Sequence, residues 1–302
     1  MQGRAPAREV SVEAGQDCLV GHFAAMASPC EILIESDAHD EALRLTRIAA
    51  DEAWRVEDKF SRYRPGNIVA RINASRAEAV EVDDETAALL DFAATLHALS
   101  DGRFDITSGV LREVWTFDGS DRLPEPRAVS AVLRRVGWDR VTWRRPFFTL
   151  QAGMQVDLGG IGKEYAVDRV AGMLREATTC SALVNFGGDL AVTRAPQERR
   201  AWRVGIEPVS AGEGRSETVL EIESGALATS GDSRRFLIKD GVRYSHILDP
   251  RSGWPVEGAP RSVTVAADTC TQAGMLSTLA MLEGYNAEAF LDGEGVKYWC
   301  RR

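Results

Sequence analysis

Apolar residues recur along this chain with two periods, and the switches between them outline its elements. Over residues 40–60, Leu45, Ile48, Ala49, Glu52, Val56 and Phe60 fall on one stripe at helical spacing, which predicts an amphipathic helix. A second helix is predicted over 85–100, with Asp83 and Asp84 at its start and Gly102 as its stop. A polar linker over 118–127, carrying Pro124 and Pro126, leads to a short helix over 129–136. Alternation over 31–35 predicts a strand, and the apolar, β-prone run 147–156 another. Past a glycine-rich turn, Val167, Val170, Met173 and Leu174 share one helix face. Strands are then predicted over 182–186, 202–206, 218–222, 236–238 and 262–267, and a last helix over 271–282. Asp240-Gly241 signals a hairpin between arms 236–239 and 243–248. Helices and strands interleave without a regular β-α repeat, so the pattern predicts an α+β fold with mixed or antiparallel sheets and packed helices. Residues 1–20 read as a loosely held leader and 21–302 as a single domain.

Composition narrows the function classes. The chain has 302 residues with 44% hydrophobic and 27% charged, ordinary for a globular protein. A net charge of −9 argues against a nucleic-acid binder that works by phosphate neutralisation, and Arg134, Arg135, Arg144 and Arg145 read as a solvated face. The five cysteines are scattered, with no C-x-x-C spacing, so neither zinc nor a disulfide framework is expected. Residues 1–21 carry charges throughout and lack the apolar core of a signal peptide, and no run reaches the ~18 apolar residues of a membrane span. The expectation is a cytoplasmic protein, or a periplasmic one if the chain is trimmed.

The most informative chemistry lies at Asp157-Leu158-Gly159-Gly160-Ile161-Gly162-Lys163-Glu164, where a β-prone run ends at a carboxylate and a glycine turn opens a helix. Backbone amides at such a turn form an anion cradle, and glycines let the main chain approach a phosphate. Neither common nucleotide motif fits: a P-loop needs Gly at Asp157 and Ser or Thr at Glu164, and G-x-G-x-x-G fails at Tyr165. Further polar glycine turns stand at 102–109, 185–189 and 228–232, and His246 ends a hairpin beside the turn 249–255. Each alone reads as turn chemistry; together, in a chain with four histidines, they point to a shared ligand site. His246 is either a packing histidine or a neutral imidazole that accepts a hydroxyl proton.

These segments in this order resemble the ApbE family, the FAD:protein FMN transferases. The resemblance runs through Met26, Glu57-Asp58-Lys59-Phe60-Ser61-Arg62-Tyr63, Gly102-Arg103-Phe104-Asp105, the turn from Asp157 to Lys163, Asn185-Phe186-Gly187-Gly188-Asp189, Thr229-Ser230-Gly231-Asp232 and the segment 246–255. It implies an FAD site in a central cleft, with Mg²⁺ on the pyrophosphate. A threonine hydroxyl of a redox protein would attack the FMN-side phosphate and release AMP. By position it implies that Met26, Tyr63, Arg103, Phe104, Asp105, Asp157, Lys163 and Leu248 line the FAD. His246 or Asp232 would activate the threonine, and Gly160, Ser277 and Thr278 would supply oxygens to the metal.

The chain departs from the family pattern at two positions. The metal-site helix reads Ala273-Gly274-Met275-Leu276-Ser277-Thr278, with Gly274 where the family carries aspartate, and Glu164 stands where it carries glycine. A hard cation left with neutral oxygens is bound weakly. Glu164 is then either a helix-start acid favoured by the dipole or a replacement carboxylate for the metal. Besides transfer, two other activities stay open: a non-catalytic FAD carrier or maturation factor, and an FAD pyrophosphatase that uses water in place of threonine.

Overall fold

The computed structural model describes residues 8–197, 201–206, 218–232 and 235–302, and the chain divides into two compact units. The first comprises residues 1–58, 162–229 and 264–274; the second comprises 59–161, 230–263 and 275–302.

In the first unit an antiparallel sheet is built from hairpins. Strands Leu19–Ala25 and Ser28–Ile34 are joined by Met26 and Ala27, both left-handed at φ 51° and 57°, the conformation of a tight two-residue hairpin turn. Ser28–Ile34 pairs with Ala182–Phe186, which turns through Gly187 and Gly188 into Asp189–Val192. Leu190 then faces Leu227 of strand Ala226–Gly231. Within residues 1–20, Ser11–Ala14 pairs with Leu19–Ala25 at the sheet edge; residues 1–7 lie outside the described residues.

The helix predicted over 40–60 is His39–Phe60. Its stripe is buried as expected, with Leu45, Ala49 and Val56 at 1% exposure or less. Glu52 lies on that stripe because its carboxylate is held by Arg55 (2.8 Å) and Arg169 (2.9 Å), hydrogen bonds that hold it below the usual carboxylate range. The helix after the glycine turn is Gly162–Ala177, with Val167, Val170 and Leu174 fully buried.

The second unit is organised around Val110, Leu111, Trp115, Val129, Val132 and Leu237. Trp115 donates its indole N–H to Gly253 O (2.9 Å) and meets Trp254 edge-on, so the loop around 253 is anchored to this core. The expected hairpin is present as Phe236–Lys239 and Val242–Ser245, with Asp240 at φ 52° and Gly241 at φ 77°. Asp83 caps the helix Asp84–Leu99 by accepting from Thr86 N. The short helix begins earlier than predicted, at Pro126–Leu133, because a proline fits the first helical turn.

Several expectations are corrected. Of the run 147–156 only Phe147–Thr149 is a strand, paired with Ala79–Glu81 and Thr142–Arg144. Beyond it Leu150, Met154 and Val156 are buried without a ladder, and the Val156 backbone is satisfied by the Asn73 side chain, which accepts from its N–H (2.7 Å) and donates to its carbonyl (3.1 Å). The segment 228–232, read as a turn, mostly completes strand Ala226–Gly231. Helices Ile68–Asn73 and Ala287–Glu294, the 3-10 helix Ile106–Glu113 and strand Lys297–Arg301 were not anticipated. Among the described residues no helix is long and apolar enough to cross a membrane.

Candidate functional site

A cleft of about 380 Å³ opens in the second unit, within the range of small-molecule sites. Of the residues expected to work together, Arg103, Phe104, Asp105, Asp157, Gly160, His246, Leu248 and Thr278 all line it. Three devices position them. Ser100 Oγ accepts from Phe104 N–H (2.8 Å), and the buried Phe104 ring packs beside Gly160. Asp157 N–H donates to Ile106 O (2.8 Å), while its Oδ1 accepts from Gly159 N–H (2.9 Å). Leu248 is bridged to Pro255 and packs against the Trp115 core.

Asp105 lines the cleft with its carboxylate already engaged. One carboxylate oxygen accepts from both the N–H and the hydroxyl of Thr107 (2.7 Å each) and the other from Trp138 N–H (2.9 Å). It caps the helix Ile106–Glu113 and so shapes the cleft wall.

Cationic groups the sequence reading did not single out gather here. Arg62 donates to Gly109 O (2.8 Å) and Gln155 Oε1 (2.5 Å) and lies 3.4 Å from Asp157 Oδ2. A Cβ on Gly109 would stand 2.5 Å from that guanidinium and 2.7 Å from Asp157 Cβ, so only glycine admits this approach. Arg112 and Arg235 line the cleft directly, and Arg112 reaches the exposed Tyr63 hydroxyl. Arg62 lies in the segment 57–63 that carries the family resemblance; Arg112 sits in a 3-10 segment whose pattern carried no signal.

His246 is half-buried, and its Nδ1 donates to Arg235 O (3.2 Å), which leaves Nε2 as the acceptor nitrogen. Burial first, then the Arg235 charge, holds this imidazole below its ordinary value. Asp232 stands apart from the cleft lining: it is 3% exposed and its carboxylate is taken by Arg243 (2.8 Å) and Arg261 (3.3 Å). Ser230 Oγ lies 2.9 Å from Ser277 Oγ and 3.0 Å from Thr278 Oγ1, a set of neutral hydroxyl oxygens.

Met26 and Lys163 belong to the first unit. Lys163 Nζ pairs with Asp189 Oδ2 at 2.8 Å, and Asp189 Oδ1 accepts from Thr229 N–H (3.2 Å). Burial works to lower the Lys163 amine, but the Asp189 carboxylate outweighs it and the net direction is up. Burial likewise pushes Asp189 up, with Lys163 pulling against it. Glu164, one residue on, is raised first by burial and then by the Asp189 charge. Its Oε2 is shut off from water and has no hydrogen-bond partner. One turn further, Asp168 accepts from Cys270 N–H and Thr271 N–H (2.8 Å each), capping the helix Cys270–Leu282. Among the described residues no group of three or more His, Cys, Asp or Glu forms a ready-made metal cage.

Comparison with known proteins gives one consistent picture. The family model described as "ApbE family" matches residues 26–299. A Treponema pallidum protein named FAD:protein FMN transferase is 33% identical over 77% of this chain and 69% of its own length. One of the same name from Vibrio cholerae is 31% identical over 76% of this chain and 70% of its own length. Among solved structures, the ApbE protein from Thermotoga maritima superposes with a TM-score of 0.82 at 29% identity, covering 97% of this chain and 94% of that one. The flavin transferase ApbE from Vibrio cholerae gives 0.81 at 26% identity, covering 97% and 94%.

Proposed function

The chain belongs to the ApbE family, and from that premise we propose that it acts as its relatives are named, as an FAD:protein FMN transferase. The observation that carries the reading is the second unit's cleft, where arginines, the Asp157 turn and a neutral histidine face one space. Arg112 and Arg235 offset diphosphate charge, Arg103 lines the same space with its guanidinium held by Glu283 (2.6 Å), and Phe104 offers an aromatic face to a flavin or adenine ring. His246 Nε2 takes the proton of the incoming threonine hydroxyl. The new P–O bond forms at the FMN-side phosphorus as the bond to AMP breaks, leaving FMN as a phosphoester on the acceptor. Asp232, committed to two guanidinium groups, braces the strand end rather than receiving the proton.

Mg²⁺ is the metal this family implies, and the oxygens of Gly160, Ser277 and Thr278 suit a hard cation in kind while supplying no formal charge. When bound, the ion would neutralise charge on the pyrophosphate.

The test is to mix the protein with FAD, Mg²⁺ and a threonine-containing acceptor. Flavin fluorescence on the acceptor with equimolar AMP is the expected result. AMP and free FMN without labelling would make the protein a pyrophosphatase, and intact bound FAD with neither product would make it a carrier.

A further inference from the structure

The start of the helix Gly162–Ala177 and the start of the helix Cys270–Leu282 meet in a defined register. Asp168 reaches the N–H groups of Cys270 and Thr271, and one turn away Glu164 lies against Gly274. The steps are matched: back four residues on one helix, forward four on the other, as antiparallel helices require. A Cβ built on Gly274 would lie 2.5 Å from Glu164 Cγ and 3.1 Å from its Cδ and Oε1. Glu164 therefore occupies the volume that a side chain at 274 would fill, and the two positions exclude one another.

What fills that volume is an acid with an unmet need. Glu164 Oε2 is buried and finds no donor, while Lys163, the preceding residue, is engaged by Asp189 at 2.8 Å. A carboxylate oxygen removed from water without a partner costs free energy unless a cation or a proton meets it. A buried acid left without a donor calls for an explanation, and a bound ion is one that this carboxylate, lying against Gly274, can meet.

We propose that Glu164 is a divalent-cation ligand of this chain, an acid delivered from the helix that opens at Gly162 into the space left by Gly274. The inference rests on the transferase reading for the identity of the cation as Mg²⁺, but its geometry does not. Oxygen-only Mg²⁺ sites use one or two carboxylates and complete their shell with water and substrate phosphate, so a single relocated acid is enough to change affinity.

The test is Mn²⁺ binding, standing in for Mg²⁺, by electron paramagnetic resonance with the full chain in the presence of FAD. Glu164→Gln should weaken Mn²⁺ by at least the roughly tenfold that loss of even a supporting residue causes. In EDTA the same variant should keep its melting temperature, since Oε2 has no hydrogen-bond partner to lose. Gly274→Asp alone should not tighten Mn²⁺, because its side chain collides with Glu164. Glu164→Gly combined with Gly274→Asp should restore binding, which keeps the inference testable if Glu164→Gln folds poorly. Unchanged Mn²⁺ affinity in Glu164→Gln, or tighter binding in Gly274→Asp alone, would overturn it. Either result alongside intact FMN transfer by the native chain sinks only this inference. Glu164-dependent Mn²⁺ binding without transfer sinks only the transferase reading.

Discussion

At His246, burial and a positive neighbour act in the same direction. Both disfavour the imidazolium, and the Nδ1 contact to Arg235 O fixes which nitrogen is free to accept a proton. Because the depressed group is neutral above its own value, a base at this position stays competent below the ordinary histidine value of about 6.5. The acid limb of kcat/KM for FMN transfer should accordingly fall below pH 6.5, and His246→Ala should lower kcat by about 10²–10⁴. An acid limb above that pH, or a variant that loses only FAD affinity, would remove the base from His246. The sequence made this histidine visible through its place beside a rigid turn, but not its tautomer, which depends on a carbonyl eleven positions away. Asp105 was visible as a cleft residue, but not its bonds to Thr107 and to Trp138, the latter 33 positions away.

The helix Cys270–Leu282 has no acid in its own first turn and takes its cap from Asp168, a residue of another helix. Two otherwise orphaned backbone N–H groups are met by one carboxylate. Asp168→Ala should destabilise the protein by about 1 kcal/mol, lowering the melting temperature by roughly 2–4 °C for a domain of this size. Asp168→Asn should recover part of the loss, and an unchanged melting temperature for Asp168→Ala would mean that water replaces the cap. The helix was legible from its apolar run, whereas its cap was not, because a hydrogen bond spanning more than 100 residues leaves no local spacing. Periodicity failed for the same reason at 150–156. The chain turns at Gly153 (φ 83°), and Asn73, far back in the chain, satisfies the Val156 backbone that a ladder would otherwise have taken.

Across the whole chain, none of the five cysteines is in a disulfide, and the structure grades their reactivity. Burial pushes Cys30 up to about 12 and Cys270 well up, and burial with the Glu288 contact takes Cys300 to about 12. Thiolate rather than thiol is the reacting form, so Cys30 and Cys270 should stay silent toward a disulfide reagent at pH 8, with Cys300 slow. Native protein should thus titrate fewer than five thiols, and denatured protein all five. Equal rates at every cysteine in the native state would contradict the burial pattern. At this scale the sequence was most informative: the order of the motifs disclosed the family, and interleaved hairpins and helices disclosed the α+β class. It left open whether Glu164 is a helix-start acid or a replacement carboxylate, since 164 and 274 adjoin only once the helices are packed.

The exclusion between Glu164 and Gly274 also constrains how such a chain can change. Moving the acid from one helix to the other takes two substitutions, and each intermediate is worse than either end, with two acids in one volume or none. A scan that scores positions singly would read two unrelated losses here. A comparison of paired columns should instead find a side chain at one position travelling with glycine at the other, so that what is inherited is an occupied place rather than a residue.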